Sequence, residues 1–184
     1  MKPMTASYPV SERLRFRLPR EEDAPFYCRM MNEPDYIRFI RDHGIRTDAA
    51  AAEHIRTKTL PRFAEQGFGL WLVELKETGE PVGTCGLVMR EELEYPDLGF
   101  AFLKDYRGKG FGREAGLAVL EFVQKDLKLK TLCAITDPEN TRSGNLLTKI
   151  GFVTNGQRYL AAFDSISNYY IWTSGEADGG AVRS

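Results

Sequence analysis

The chain has 184 residues, 25 Lys plus Arg against 26 Asp plus Glu, a formal net charge of −1 and 42% hydrophobic residues. That balance suits one soluble globular domain, bounded by the sequence at residues 9–174, and excludes extensive disorder or a nucleic-acid binder that works by overall field. The longest nearly apolar stretch, Phe68 to Val73, falls far short of the roughly 18 residues of a membrane span, and Met1 to Val10 lacks the regions of a secretory signal, so a cytoplasmic protein with no membrane partner is expected.

Leu14, Phe16 and Leu18 alternate with Arg13, Arg15 and Arg17, as in a strand with one wet face. Asp23 and Pro25 open a segment whose Phe26, Met30 and Met31 recur at helical spacing. Asn32-Glu33-Pro34 interrupts it, and a second short helix follows around Asp35 to Ile40. Asp48 precedes four alanines and is the expected cap of a helix over Ala49 to Thr59. The β-rich runs Leu70 to Leu75 and Val82 to Met89 flank a turn-forming cluster and predict a hairpin. A strand from Leu98 to Leu103 then leads through a glycine-rich loop into a helix over Ala115 to Leu127, where Gly116, Val119, Leu120, Val123 and Leu127 share a face. Leu132 to Thr136 reads as a strand, Ser143 to Ile150 as a helix ended by Gly151, and Tyr169 to Thr173 as the last strand, with loops at Asn32 to Thr47 and Thr154 to Asn168. Strand, helix, strand in the second half predicts a parallel βαβ unit behind antiparallel strands, hence a mixed α/β class. Residues 175–184 read as a polar tail.

Cys28, Cys85 and Cys133 are widely spaced, odd in number and set among apolar residues, as reduced core thiols are. No zinc spacing exists, so no metal is expected, and His43 and His54 receive no role.

Chemistry concentrates in Lys104-Asp105-Tyr106-Arg107-Gly108-Lys109-Gly110-Phe111-Gly112-Arg113-Glu114. Three glycines in five residues cost about 1 kcal/mol each relative to alanine. They serve either a flexible strand-to-helix turn or an anion site, in which open backbone N–H groups at a helix N-terminus meet phosphate oxygens. Lys104, Arg107, Lys109 and Arg113 concentrate positive charge there. A Walker loop is excluded because no Gly-Lys-Ser or Gly-Lys-Thr closes it. Gly110-x-Gly112-x-x-Ala115 fits a dinucleotide fingerprint, but four residues separate Leu103 from Gly108 and too few parallel strands follow.

Arg107-x-x-Gly110-x-Gly112 is similar to the pyrophosphate motif of the GNAT superfamily of acyl-CoA-dependent N-acetyltransferases. Four further patches resemble the branch containing the ribosomal-protein N-terminal acetyltransferases RimJ and RimL: Ser11-Glu12-Arg13-Leu14-Arg15-Phe16-Arg17, Asn32-Glu33-Pro34, Asp97-Leu98-Gly99-Phe100, and Asn140-x-x-Ser143 running into Lys149-Ile150-Gly151-Phe152. The likeness covers residues 11 to about 155. It implies a mixed sheet whose central parallel strands splay to hold acetyl-CoA as co-substrate.

The resemblance further implies that the backbone of Phe100, Ala101 and Phe102 pairs with the pantetheine arm as an added strand would. Backbone N–H groups of Arg107, Gly108, Lys109, Gly110, Phe111, Gly112 and Arg113 would hold the pyrophosphate, and Asn140 would bond the arm, unless it is a simple turn or cap residue. Asp97 stands where the branch usually has glutamate and is either the base for the amine's proton or an exposed strand-edge carboxylate beside Pro96. Many relatives carry a tyrosine seven positions after the motif asparagine; here that residue is Leu147. Ser143 then remains as donor to the leaving sulfur, or else serves as a helix N-cap. A weak base favours an α-amine over a lysine-like amine, so a peptide or protein N-terminus is the expected acceptor. A small-molecule amine is the alternative, as is an acyl-CoA-binding module without turnover. The protein is expected to act as a monomer or homodimer.

Overall fold

The computed structural model describes residues 7–175, so residues 176–184 of the expected tail lie outside the described residues. Its strands are β1 (Leu14–Arg17), β2 (Leu70–Leu75), β3 (Pro81–Val88), β4 (Asp97–Phe102), β5 (Thr131–Thr136), β6 (Val153–Leu160) and β7 (Ser165–Thr173). They form one sheet in the order β1-β2-β3-β4-β5-β7-β6, antiparallel throughout except for β4 beside β5. Helices α1 (Ala24–Met31), α2 (Pro34–Phe39), α3 (Asp48–His54) and α4 (Leu60–Gln66) precede the second strand; α5 (Phe111–Phe122) and α6 (Thr141–Lys149) flank β5.

Alternation along β2 divides the core. Trp71 and Val73 face α5, with Trp71 edge-on to Phe122 at 5.4 Å, whereas Leu72 packs with α1 and α3. Both faces of the central strands are thus covered, which is why β3 is buried almost throughout. Arg17 anchors the start of α1 to the sheet, holding Asp23 at 2.8 Å and Glu74 at 2.9 Å.

Several boundaries differ from those the sequence predicts. The cap of α3 is Thr47, whose hydroxyl accepts from the Ala50 N–H, and Asp48 is the first helical residue. The helix does not stop at Thr59: a π-helical stretch, Ile55–Thr59, carries it into α4. Helix α5 begins at Phe111, four residues before Ala115, because left-handed Gly110 (φ +82°) closes the loop and starts the helix at once. The segment expected to be a loop, Thr154 to Asn168, is instead mostly the β6–β7 hairpin. Almost every side chain of β6 is exposed at the sheet edge, so the strand is held by backbone pairing and carries no apolar alternation. Gly156, at φ +74°, occupies the irregularity in that pairing between Thr154 and Gln157.

The central parallel pair is brief. β4 pairs with β3 along its length, from Val88↔Asp97 to Gly83↔Phe102, but meets β5 only at Asp97↔Cys133, supported by the Cys133 N–H to Pro96 oxygen bond of 2.9 Å. Beyond that point the two strands diverge, and the outer edge of β4 is left without a neighbour strand.

Candidate active site

The divergence opens a cleft of about 640 Å³. Leu98 to Ala101 form one wall, Ile135 to Asp137 with Asn140 and Ser143 the other, and α2 and the β6–β7 turn border it. The cleft therefore brings together five of the residues singled out in the sequence: Asp97, Phe100, Ala101, Asn140 and Ser143.

Asp97 sits where β4 and β5 still pair, only 2% exposed. Its Oδ2 accepts from Arg90 Nε at 2.7 Å, while Oδ1 is buried without a full hydrogen bond. Burial pushes the carboxyl up to about 6, opposed by the Arg90 charge and by the approach of the Ile135 N–H. The exposed strand-edge alternative for Asp97 is thereby corrected, since the β4–β5 junction buries it. Asn140 is the N-cap of α6, its Oδ1 accepting the Ser143 N–H at 3.2 Å. Ser143 is thus the third residue of the helix and not its cap. Leu147 is buried in the core and supplies no hydroxyl.

In the glycine-rich turn, Gly108 and Gly110 both adopt left-handed backbone, φ +74° and +82°. The first bond of α5 runs from the Glu114 N–H to the Gly110 oxygen, so the N–H groups of Phe111, Gly112 and Arg113 have no partner within the helix and can meet an anion. Gly112 lies close under α6: a Cβ there would come 2.6 Å from Leu146 Cδ1, and the end of that side chain would have to yield.

Two residues of the expected ligand set turn inward. Arg107 donates from Nε to the Phe102 oxygen at 2.8 Å, from Nη1 to Asp35 at 2.6 Å and from Nη2 to Glu33 at 2.7 Å; its own N–H bonds the Lys104 oxygen at 3.2 Å. Its guanidinium and amide are committed to the protein, and so is the Phe102 carbonyl. Carboxylates some seventy residues earlier draw Arg107 in, which motif spacing does not register. Glu33 also accepts the Lys104 N–H, so the Asn32-Glu33-Pro34 step latches α2 onto the end of β4.

Sequence reasoning gave no role to Arg13, although it lies in one of the family-like patches. Its Nε bonds Glu114 at 2.7 Å and its Nη1 bonds the Lys109 oxygen at 3.2 Å, with the guanidinium 4.4 Å from the centre of the Phe111 ring. Ser11 donates to the same Glu114. The segment leading into β1 thus braces the glycine-rich turn. Arg90 and Phe163 carried no sequence signal, because their partners come from other elements.

The acetyltransferase (GNAT) domain family matches residues 13–153. An uncharacterized N-acetyltransferase, p20, of Bacillus licheniformis is 29% identical over 147 residues, covering 79% of this chain and 82% of that protein. The [ribosomal protein uS5]-alanine N-acetyltransferase of Escherichia coli is 30% identical over 107 residues, 55% of this chain and 54% of the relative. Among solved structures, an acetyltransferase from Agrobacterium tumefaciens superposes with a TM-score of 0.75 at 23% identity, covering 95% of this chain and 99% of that one. The aminoglycoside enzyme AAC(6')-Ib, solved with ribostamycin and coenzyme A, gives 0.70 at 20% identity, covering 88% and 94%. The solved structures share the fold, and the family match spans the glycine-rich turn, the splayed strands and Asp97: the chain belongs to the GNAT acetyltransferase family.

Proposed function

We propose that the protein transfers the acetyl group of acetyl-CoA to the α-amine of a peptide or protein N-terminus, by direct attack of the amine on the thioester carbonyl. The N–H groups of Phe111, Gly112 and Arg113 hold the pyrophosphate, and the open edge of β4 at Phe100 and Ala101 pairs with the pantetheine arm. Asp97 accepts the amine's proton through a water molecule, its side chain being one methylene shorter than glutamate. The amine nitrogen then bonds the carbonyl carbon, a backbone N–H of β4 steadies the oxyanion, and the carbon–sulfur bond breaks as the nitrogen's remaining surplus proton passes to the departing sulfur through the Ser143 hydroxyl.

The carrying observation is the placement of a buried carboxylate, Asp97, in the lining of the cleft between the splayed strands, one oxygen held by Arg90 and burial pushing it up to about 6. Moving a proton to it from an α-ammonium near 8 is uphill by about 3 kcal/mol, whereas from a lysine-like ammonium near 10.4 the cost is about 6 kcal/mol. That difference of about 3 kcal/mol belongs to the amines themselves and favours the α-amine at any one base. The Escherichia coli relative named for an alanine of ribosomal protein uS5 supports the same direction. A panel of N-terminal peptides, spermidine, an aminoglycoside and free amino acids, followed by CoA release, tests the reading. Turnover of peptides is expected; turnover of a small amine with none of any peptide would replace the acceptor class.

A further inference from the structure

Asp97 is held by an arginine that is itself held from across the cleft. Arg90, two residues beyond the end of β3, turns back to donate from Nε to Asp97 Oδ2 at 2.7 Å, with 3% of the carboxylate side chain exposed and 29% of the arginine's. A partly exposed guanidinium on a flexible stem would readily swing into water. Here its carbon lies 5.0 Å from the centre of the Phe163 ring, in the turn between β6 and β7. That turn is bolted to the segment carrying Arg90: Ala161 and Ala162 donate their N–H groups to Glu92 at 2.7 and 3.2 Å. From the other side Arg41 donates to the Ala162 oxygen at 2.9 Å, and its guanidinium stands 5.8 Å from the same ring. With Oδ2 occupied, Oδ1, buried and approached by the Ile135 N–H, is the oxygen without a full hydrogen bond.

We propose that Arg90 is a positioning residue of the active site, fixing the Asp97 carboxylate in its charged form through Oδ2 and leaving Oδ1 outside the ion pair, and that Phe163 keeps Arg90 in place. The β6–β7 turn, a border of the cleft, thereby sets the state of the base at the cleft's closed end. This rests on the reading of Asp97 as base. Among the described residues, no neighbouring group takes the place of Arg90. Cys133, opposite Asp97 on β5, is pushed up to about 12 by burial and stays neutral, as does Tyr169, also raised to about 12 by burial. Arg158 sits on the Tyr169 ring at 4.0 Å, Arg41 and Glu92 are committed to the turn, and Ile135 offers only its N–H.

A carboxyl carbon-13 NMR titration of the full chain tests this without any acceptor, the Asp97 signal being the one lost in Asp97→Asn. Arg90→Gln is expected to raise the Asp97 midpoint by about one pH unit or more, since an opposite charge at this distance ordinarily lowers a carboxyl by that much. Arg90→Lys restores part of the shift. Phe163→Leu, which keeps apolar volume but no ring, raises the midpoint by less than Arg90→Gln and carries the test if that variant does not fold. Midpoints unmoved in the folded variants, even with lowered melting temperatures, overturn the proposal and leave a structural ion pair. Movement in Arg90→Gln but not in Phe163→Leu overturns the part assigned to the turn. Failure of the underlying reading is seen separately, as full turnover in Asp97→Asn.

Discussion

Gly110 holds φ at +82°, and a residue with a Cβ pays about 1–2 kcal/mol to stay there, a β-branched one more. Gly110→Val therefore reshapes the turn and displaces the N–H groups at the start of α5. Isothermal titration should show the dissociation constant for CoA at least about tenfold higher, near 1.4 kcal/mol. Unchanged affinity in the folded variant would move the pyrophosphate site elsewhere. Asp97 offers a second residue-level test, through stability. Its folded carboxyl, about 6, lies above the ordinary aspartate value of 3.8, so the native state binds the proton more tightly than the unfolded chain. The stabilisation from protonated Asp97 is full below about pH 4 and is lost as pH rises through about 6, some 3 kcal/mol by linkage. Urea denaturation at pH 4.5 and 7.5 should show that Asp97→Asn removes much of this loss, making the variant relatively more stable at neutral pH while its turnover collapses. A pH dependence identical to the parent's would show that Asp97 does not titrate near 6.

At the scale of elements, the latch between α2 and β4 separates folding from ligand binding. Arg107 ties Glu33, Asp35 and the Phe102 carbonyl together, with Glu33 half-sheltered and Asp35 more exposed. Breaking a buried pair costs about 3–5 kcal/mol, and solvent screening at Asp35 reduces this. Arg107→Ala is expected to lower unfolding stability by about 1–3 kcal/mol in urea while raising the CoA dissociation constant less than Gly110→Val does. The opposite ranking would return the Arg107 side chain to the phosphate. The same motif thus contains two jobs: glycines that expose backbone, and an arginine that fastens the loop to a helix formed far earlier in the chain.

For the whole molecule, the consequence of β4 meeting β5 at one register pair is a sheet whose two parts are bridged chiefly by packing around the cleft. A ligand that pairs with the free edge of β4 and contacts α6 ties those parts together. Bound at one hundred times its dissociation constant, CoA should stabilise the fold by about 2.7 kcal/mol, raising the melting temperature by several degrees where NAD does not. Hydrogen exchange should slow at the amides of Leu98 to Ala101 on addition of CoA. Protection confined to the glycine-rich turn would mean that the arm does not pair with β4.

The local signals in this sequence were enough for the strands with one wet face, the hairpin of β2 and β3, the helix ended by Gly151 and the glycine-rich turn, because alternation, turn chemistry and left-handed backbone are properties of neighbouring residues. The family-like patches likewise marked Asp97, Asn140 and Ser143 before any of them could be placed around a cleft. The edge strand β6 was illegible, since a strand held by backbone bonds alone leaves its side chains free of pattern. Tertiary structure alone decided the inward turn of Arg107, the bracing of the turn by Arg13 and the hold of Phe163 on Arg90 and of Arg90 on Asp97. Ion pairs and ring contacts between distant elements depend on which way whole elements lie, and burial, which gives Asp97 its raised affinity for a proton, exists only once those elements have closed over it.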